Sequence, residues 1–139
     1  MQMARNTRPL TINEQREQDQ NVKIMARTIR AKTLASNLRW ATKLPARECW
    51  VYMAYDAAGS LLYVGQSANV ETRMKQHRSL ARWWGRCDRI SAEPYPTRAD
   101  ALQAEYDAVE EAIDLGEPIY NDTMTDLNFG QLFTPEVQR

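Results

Sequence analysis

CWVYMAYDAAGSLLYVG, residues 49–65, is the stretch from which the rest of the chain can be read. Cys49 to Tyr55 is rich in aromatic and β-favouring residues, and so is Leu61 to Val64. Between them lies Asp56-Ala57-Ala58-Gly59-Ser60, a short loop holding one glycine. Two such runs joined by a short glycine loop read as an antiparallel hairpin. Gly65 is expected to break the second strand.

Downstream, Ser67 or Asn69 caps a helix running through about Leu80, with Met74 and His77 on one side and Arg73 nearby. Trp83-Trp84-Gly85 reads as a turn, the two tryptophans packing as core and rim rather than stacking on bases. Cys87 to Tyr95 is a third strand, closed by Pro94 and Pro96. Thr97 and Asp100 form a cap for a helix whose apolar stripe is Ala101, Leu102, Ala104, Ala108, Val109, Ala112 and Ile113. Gly116 and Pro118 end it. Residues 122–139 make a polar tail, anchored by Met124, Leu127, Phe129, Leu132 and Phe133.

Upstream, residues 1–12 lack periodicity, hold Pro9 and read as an irregular arm. From Asn13 the pattern turns helical: Val22, Met25 and Ile29, then Leu34, Leu38 and Ala41 after a phase shift. Between them stand Lys23, Arg27, Arg30, Lys32, Arg39 and Lys43. The reading is one long or two shorter basic amphipathic helices ending before Pro45. Such a helix either packs on its own domain with a solvated basic face or lies along nucleic-acid phosphates. The order gives an α+β fold, a small three-stranded antiparallel sheet flanked by helices and preceded by basic N-terminal helices. The expected parts are a helical arm (1–47), a core (48–121) and the tail (122–139).

The bulk numbers bound the class. A length of 139 residues with 43% apolar suits one compact domain with an appended arm. Net charge is zero, yet residues 1–47 carry +7, 48–91 carry +2 and 92–139 carry −9. A basic front and an acidic back indicate either a polyanionic partner on one side or two ends that attract each other. Cys49 and Cys87 form no CxxC pair, and with the lone His77 they cannot make a four-ligand zinc site. They read as reduced thiols of a cytoplasmic protein, although their number alone permits a disulfide. No stretch approaches the roughly 20 apolar residues a membrane helix needs.

Phosphodiester hydrolysis needs a base for water, a cation for the phosphate and a proton or metal for the leaving oxygen. Residues 52–121 offer tyrosines, an arginine, a histidine and a carboxylate on separate elements. One motif series joins them. Trp50-Val51-Tyr52 is followed, after ten residues, by Tyr63-Val64-Gly65 and then Gln66-Ser67-Ala68-Asn69. Arg73 and His77 lie four apart on the next helix, Glu105 follows Thr97-Arg98-Ala99-Asp100 on the last, and Pro118-Ile119-Tyr120-Asn121 closes the series.

This order resembles the GIY-YIG nuclease superfamily, over roughly Trp50 to Asn121. The resemblance implies a metal-dependent endonuclease, most readily of double-stranded DNA, with RNA as the other substrate. It implies a base or proton relay at Tyr52, a hydrogen-bonding partner at Tyr63 and a tight backbone turn at Gly65. Arg73 would clamp the scissile phosphate, and His77 would contact it or move a proton, because the ordinary imidazole pKa lies near neutral. Glu105 would hold one divalent ion, Mg²⁺ or Mn²⁺. Asn69 and Asn121 would support the site, and a homodimer would let both strands be cut. Two departures stand out: Trp50 occupies the first glycine's place, and Gln66 stands where many members have lysine. A catalytically weak or inactive nucleic-acid-binding module of the same fold is the alternative. A third reading has the acidic segment bind a basic partner.

Overall fold

The computed structural model describes residues 8–121. The element order is α1 (Ile12–Ala41), β1 (Cys49–Tyr55), β2 (Leu61–Ser67), α2 (Val70–Leu80), β3 (Arg89–Tyr95) and α3 (Arg98–Asp114). This is the α+β fold expected, with one three-stranded antiparallel sheet in the order β2-β1-β3. The anticipated C-terminal tail lies outside the described residues.

The N-terminal segment is a single helix, not two. It starts on a capping box: the Glu14 amide donates to Thr11 Oγ1, and the Thr11 amide donates to Glu14 Oε1. The T-x-x-E spacing at residues 11–14 signals this start in the sequence, one residue before the helical pattern becomes visible. Val22, Ile24 and Met25 are exposed, so the apolar stripe read there is not a covered face. The chain divides into two compact units with the boundary inside α1, between Thr33 and Leu34.

In the second unit the hairpin forms as read. Asp56 closes its loop, Oδ1 accepting from the amides of Ala58 and Ser60, and Gly59 takes the positive φ that this turn requires. Gly65 does not end β2, which runs on to Ser67 with Gly65 paired to Tyr52. The third strand begins two residues later than expected, at Arg89, while the Asp88 amide still donates to Tyr55 O. Pro94 is tolerated because β3 is an edge strand with one neighbour.

Alternation along β1 sends its side chains to two different layers. Cys49, Val51 and Met53 meet Val64 and the α3 stripe of Ala101, Val109 and Ala112. Tyr52 and Ala54 meet Leu62, Tyr63 and Trp83, with Val70 and Met74 of α2 packed against them. The helices α2 and α3 therefore cover opposite faces of the sheet. Asn121 closes the far edge of β2. Its Oδ1 accepts from Val64 N at 2.9 Å and its Nδ2 donates to Val64 O at 2.7 Å. The Tyr120 amide donates to Leu62 O, so the 119–121 segment takes the place of a fourth strand.

Candidate active site

The α2 face of the sheet holds a buried cluster of polar and aromatic groups. Tyr52 and Tyr63 are fully buried, and Arg73 and His77 are nearly so. Tyr52 Oη lies 2.7 Å from His77 Nε2. The Tyr63 ring stands edge-on to His77 at 5.0 Å and stacks on Trp83 at 5.1 Å. Trp83 also touches the His77 ring, at 4.9 Å, and is 2% exposed, so it is the floor of the cluster and packs as core.

Local sequence explains how these groups arrive together. Asn69, not Ser67, caps α2: its side chain accepts from Thr72 N, while Ser67 Oγ accepts from Asn69 N. The cap fixes where α2 starts, and the spacing of four then puts Arg73 and His77 on one face. Gly65 is required for a reason other than a tight turn. A Cβ there would lie 2.8 Å from Tyr52 Cε2, and closer still to Cζ and Oη. The Tyr52 ring thus lies flat across the backbone of the opposite strand, and only glycine leaves room for it. Asn121 supports the site indirectly, by holding the backbone of Val64 between Tyr63 and Gly65.

The electrostatics of His77 differ from those of a free imidazole. Burial, and secondarily the charge of Arg73, lower its pKa to about 3. The expectation of a group titrating near neutrality is therefore corrected: at pH 7 the ring is neutral and has one N–H and one lone pair. Facing Tyr52 Oη, Nε2 can accept the phenol proton or donate to its oxygen, according to tautomer.

Glu105 lies on α3, four residues after Ala101 and four before Val109, and is half-buried. Four of the five expected catalytic residues thus share one cluster, and the fifth lies on the helix of the opposite face. Among the described residues no three His, Cys, Asp or Glu side chains gather as a metal cage. One half-buried carboxylate fits instead a hard cation that keeps waters and completes its shell with substrate phosphate oxygens, as Mg²⁺ does.

Of the basic residues on α1, Lys23, Arg27, Lys32 and Arg39 are exposed, as is Lys43 just beyond its end. Arg30 is only 7% exposed, which removes it from the solvated basic face on which the sequence placed it. The sequence reading passed over further arginines. Arg82 lies 5.3 Å from the Tyr120 ring, and Arg89 4.0 Å from that of Tyr55. Arg47 and Arg98 line a common groove. Their only sequence signal is charge, which says nothing of where a loop and a helix start converge.

Residues 48–111 match the family model of the GIY-YIG catalytic domain, which defines a family of nucleases. The match takes in Tyr52, Tyr63, Gly65, Arg73, His77 and Glu105, and Asn121 lies beyond it. Members generally use divalent metals. No curated protein and no solved structure matches the chain. No helix among the described residues is long and apolar enough to cross a membrane.

Proposed function

We propose that this chain is a divalent-metal-dependent endonuclease that hydrolyses phosphodiester bonds of double-stranded DNA. The observation that carries the reading is the 2.7 Å contact between Tyr52 Oη and a neutral, buried His77, beside Arg73. Buried polar groups are costly unless they are paired, and ordinary packing on this face would be served by apolar side chains.

Free phenol has a pKa near 10 and is a poor base at neutral pH. In the proposed mechanism Tyr52 takes a proton from the attacking water while its own passes to Nε2 of His77. Arg73 holds the scissile phosphate with its planar fork of donors. Pairing with the phosphate cancels part of the Arg73 charge felt by His77. That charge is one cause of the low imidazole pKa, so His77 becomes a better proton acceptor when substrate is bound. The Tyr63 ring, edge-on, and the tilted Trp83 ring keep the imidazole in place. Glu105 is the residue to hold Mg²⁺ or Mn²⁺, which when bound supplies positive charge for the transition state and the leaving oxygen. The exposed cations of α1 hold the flanking DNA backbone, and a homodimer would cut both strands.

Cleavage of a supercoiled plasmid with Mg²⁺ tests the proposal, alongside Glu105→Ala, Tyr52→Phe and an EDTA control. Nicked or linear product that disappears in all three controls supports it. If plasmid, RNA and branched DNA all remain intact while salt-sensitive binding persists, the chain is a binding module of the same fold.

A further inference from the structure

A groove of about 300 Å³ lies outside the Tyr52 cluster, lined by Leu44, Pro45, Ala46, Arg47 and Arg98. Arg47 comes from the loop before β1 and Arg98 from the first turn of α3. Arg98 Nη1 donates to Gln66 Oε1 at 3.5 Å, and Gln66 is buried. Neither arginine has a carboxylate partner among the described residues. This is unexpected for Arg98, because residues 92–139 carry a net charge of −9. Two permanent cations in one groove, with no carboxylate against them among the described residues, make a site for an anion.

The surroundings indicate which anion. Leu44, Pro45 and Ala46 give the groove an apolar wall beside its two guanidinium groups, which suits an ester-linked phosphate carrying a sugar better than a bare ion. Gln66 directly follows Gly65, the residue that the Tyr52 ring covers. The groove is thereby tied to the same strand end as the catalytic cluster, on the α3 side of it. The Arg98 guanidinium stands against the Gln66 side chain at that strand end.

We propose that Arg47 and Arg98 bind a backbone phosphate of the nucleic-acid strand away from the scissile bond. The proposal rests on the nuclease reading for the identity of the strand. The groove is a second phosphate subsite, and it sets how the strand enters the reactive cluster.

The test is a salt titration of binding to a labelled DNA duplex in EDTA, with the full chain and Arg47→Ala/Arg98→Ala. Losing one phosphate contact lowers the slope of log affinity against log salt by about 1, and weakens binding alike across sequences. Affinity is expected to fall roughly tenfold at low salt, and Arg98→Lys, which keeps the charge, is expected to restore the slope. A purely structural role of Arg98 against Gln66 would lower the melting temperature without moving the slope. Should the double variant melt early, Arg47→Glu decides alone, since Arg47 is exposed. An unchanged slope in that variant overturns the subsite. The plasmid assay separates this failure from the larger one. A wild type that cuts while the slope stays put loses only the groove. A wild type that cuts nothing while the variants still lose slope keeps the groove and loses the nuclease. Absence of any salt-sensitive binding to DNA or RNA overturns both.

Discussion

The two faces of the sheet are built from alternate residues of the same strand, yet they differ in kind. Val51 and Met53 enter an aliphatic layer with Val64, Val109 and Ala112 under α3. Tyr52, one residue along, enters a layer where a phenol, an imidazole and a guanidinium are buried together under α2. The first layer supplies non-directional stability, roughly proportional to area removed from water. The second accepts the cost of burying polar groups and pairs them. The difference teaches where the chemistry is: a layer held only for stability has no need of a 2.7 Å contact between a tyrosine and a histidine.

The largest effect should come from setting the two faces against each other. Tyr52→Phe keeps the ring over Gly65 and removes the oxygen. Cleavage is expected to fall by about 100-fold or more, the usual contribution of a general base, with little change in melting temperature. Val51→Ala should do the reverse, losing on the order of 2 kcal/mol of stability while the folded enzyme cuts at nearly the wild-type rate. Single-turnover cleavage and thermal melts of both variants check this. A Val51→Ala enzyme as slow as Tyr52→Phe would end the division of labour.

The next effect concerns what holds the reactive face. Asn121→Ala strips both polar partners from Val64, leaving a buried N–H and C=O unsatisfied. The expected loss is about 2–3 kcal/mol, with slower cleavage because Tyr63 and Gly65 flank Val64. Asn121→Asp keeps only the acceptor and should fall between. Denaturant melts would show whether that order holds, and an alanine variant as stable as wild type would show that β2 needs no closing edge.

Gly65→Ala adds one methyl group where the Tyr52 ring lies. Overpacking of this kind costs about 1–3 kcal/mol, and here it also displaces the hydroxyl from His77. Cleavage should therefore drop more than stability does. A variant that cuts normally would mean that the ring need not lie against the strand.

Much of this was legible in the sequence, and what was missed follows from physical causes. The hairpin, the caps at Asn69 and Thr97 and the stripe of α3 are local, so short-range pattern carries them. The motif order brought Tyr52, Tyr63, Arg73 and His77 forward as one set before any contact was visible. The reading of Gly65 as a strand end failed because a strand glycine can mark either a break or a close approach. Only the position of the Tyr52 ring distinguishes the two. His77 was assigned a neutral-range pKa because sequence shows identity but not burial. The Arg47–Arg98 groove joins residues fifty-one positions apart, and no local pattern encodes that meeting.

The smallest expected effect sharpens the comparison through pH. His77 has a folded-state pKa of about 3 against an ordinary value of 6.5. Between these values the unfolded chain binds a proton that the folded one refuses, so stability rises with pH across this window. The His77 contribution is fully present above pH 6.5 and is lost as pH falls toward 3. One unit of pH inside the window is worth about 1.4 kcal/mol, so near pH 5.5 the wild type should have lost about 1.4 kcal/mol through this group. Carboxylates begin to titrate at lower pH, and they do so in every variant. The informative quantity is therefore the difference between wild type and His77→Gln, which is uncharged throughout. The wild-type curve should fall away from that of His77→Gln below pH 6.5, whereas Val51→Ala should only displace the whole curve downward. Parallel curves for wild type and His77→Gln would mean that the imidazole takes up its proton in the folded state. The buried pairing with Tyr52 would then not be what keeps this face apart from the aliphatic one.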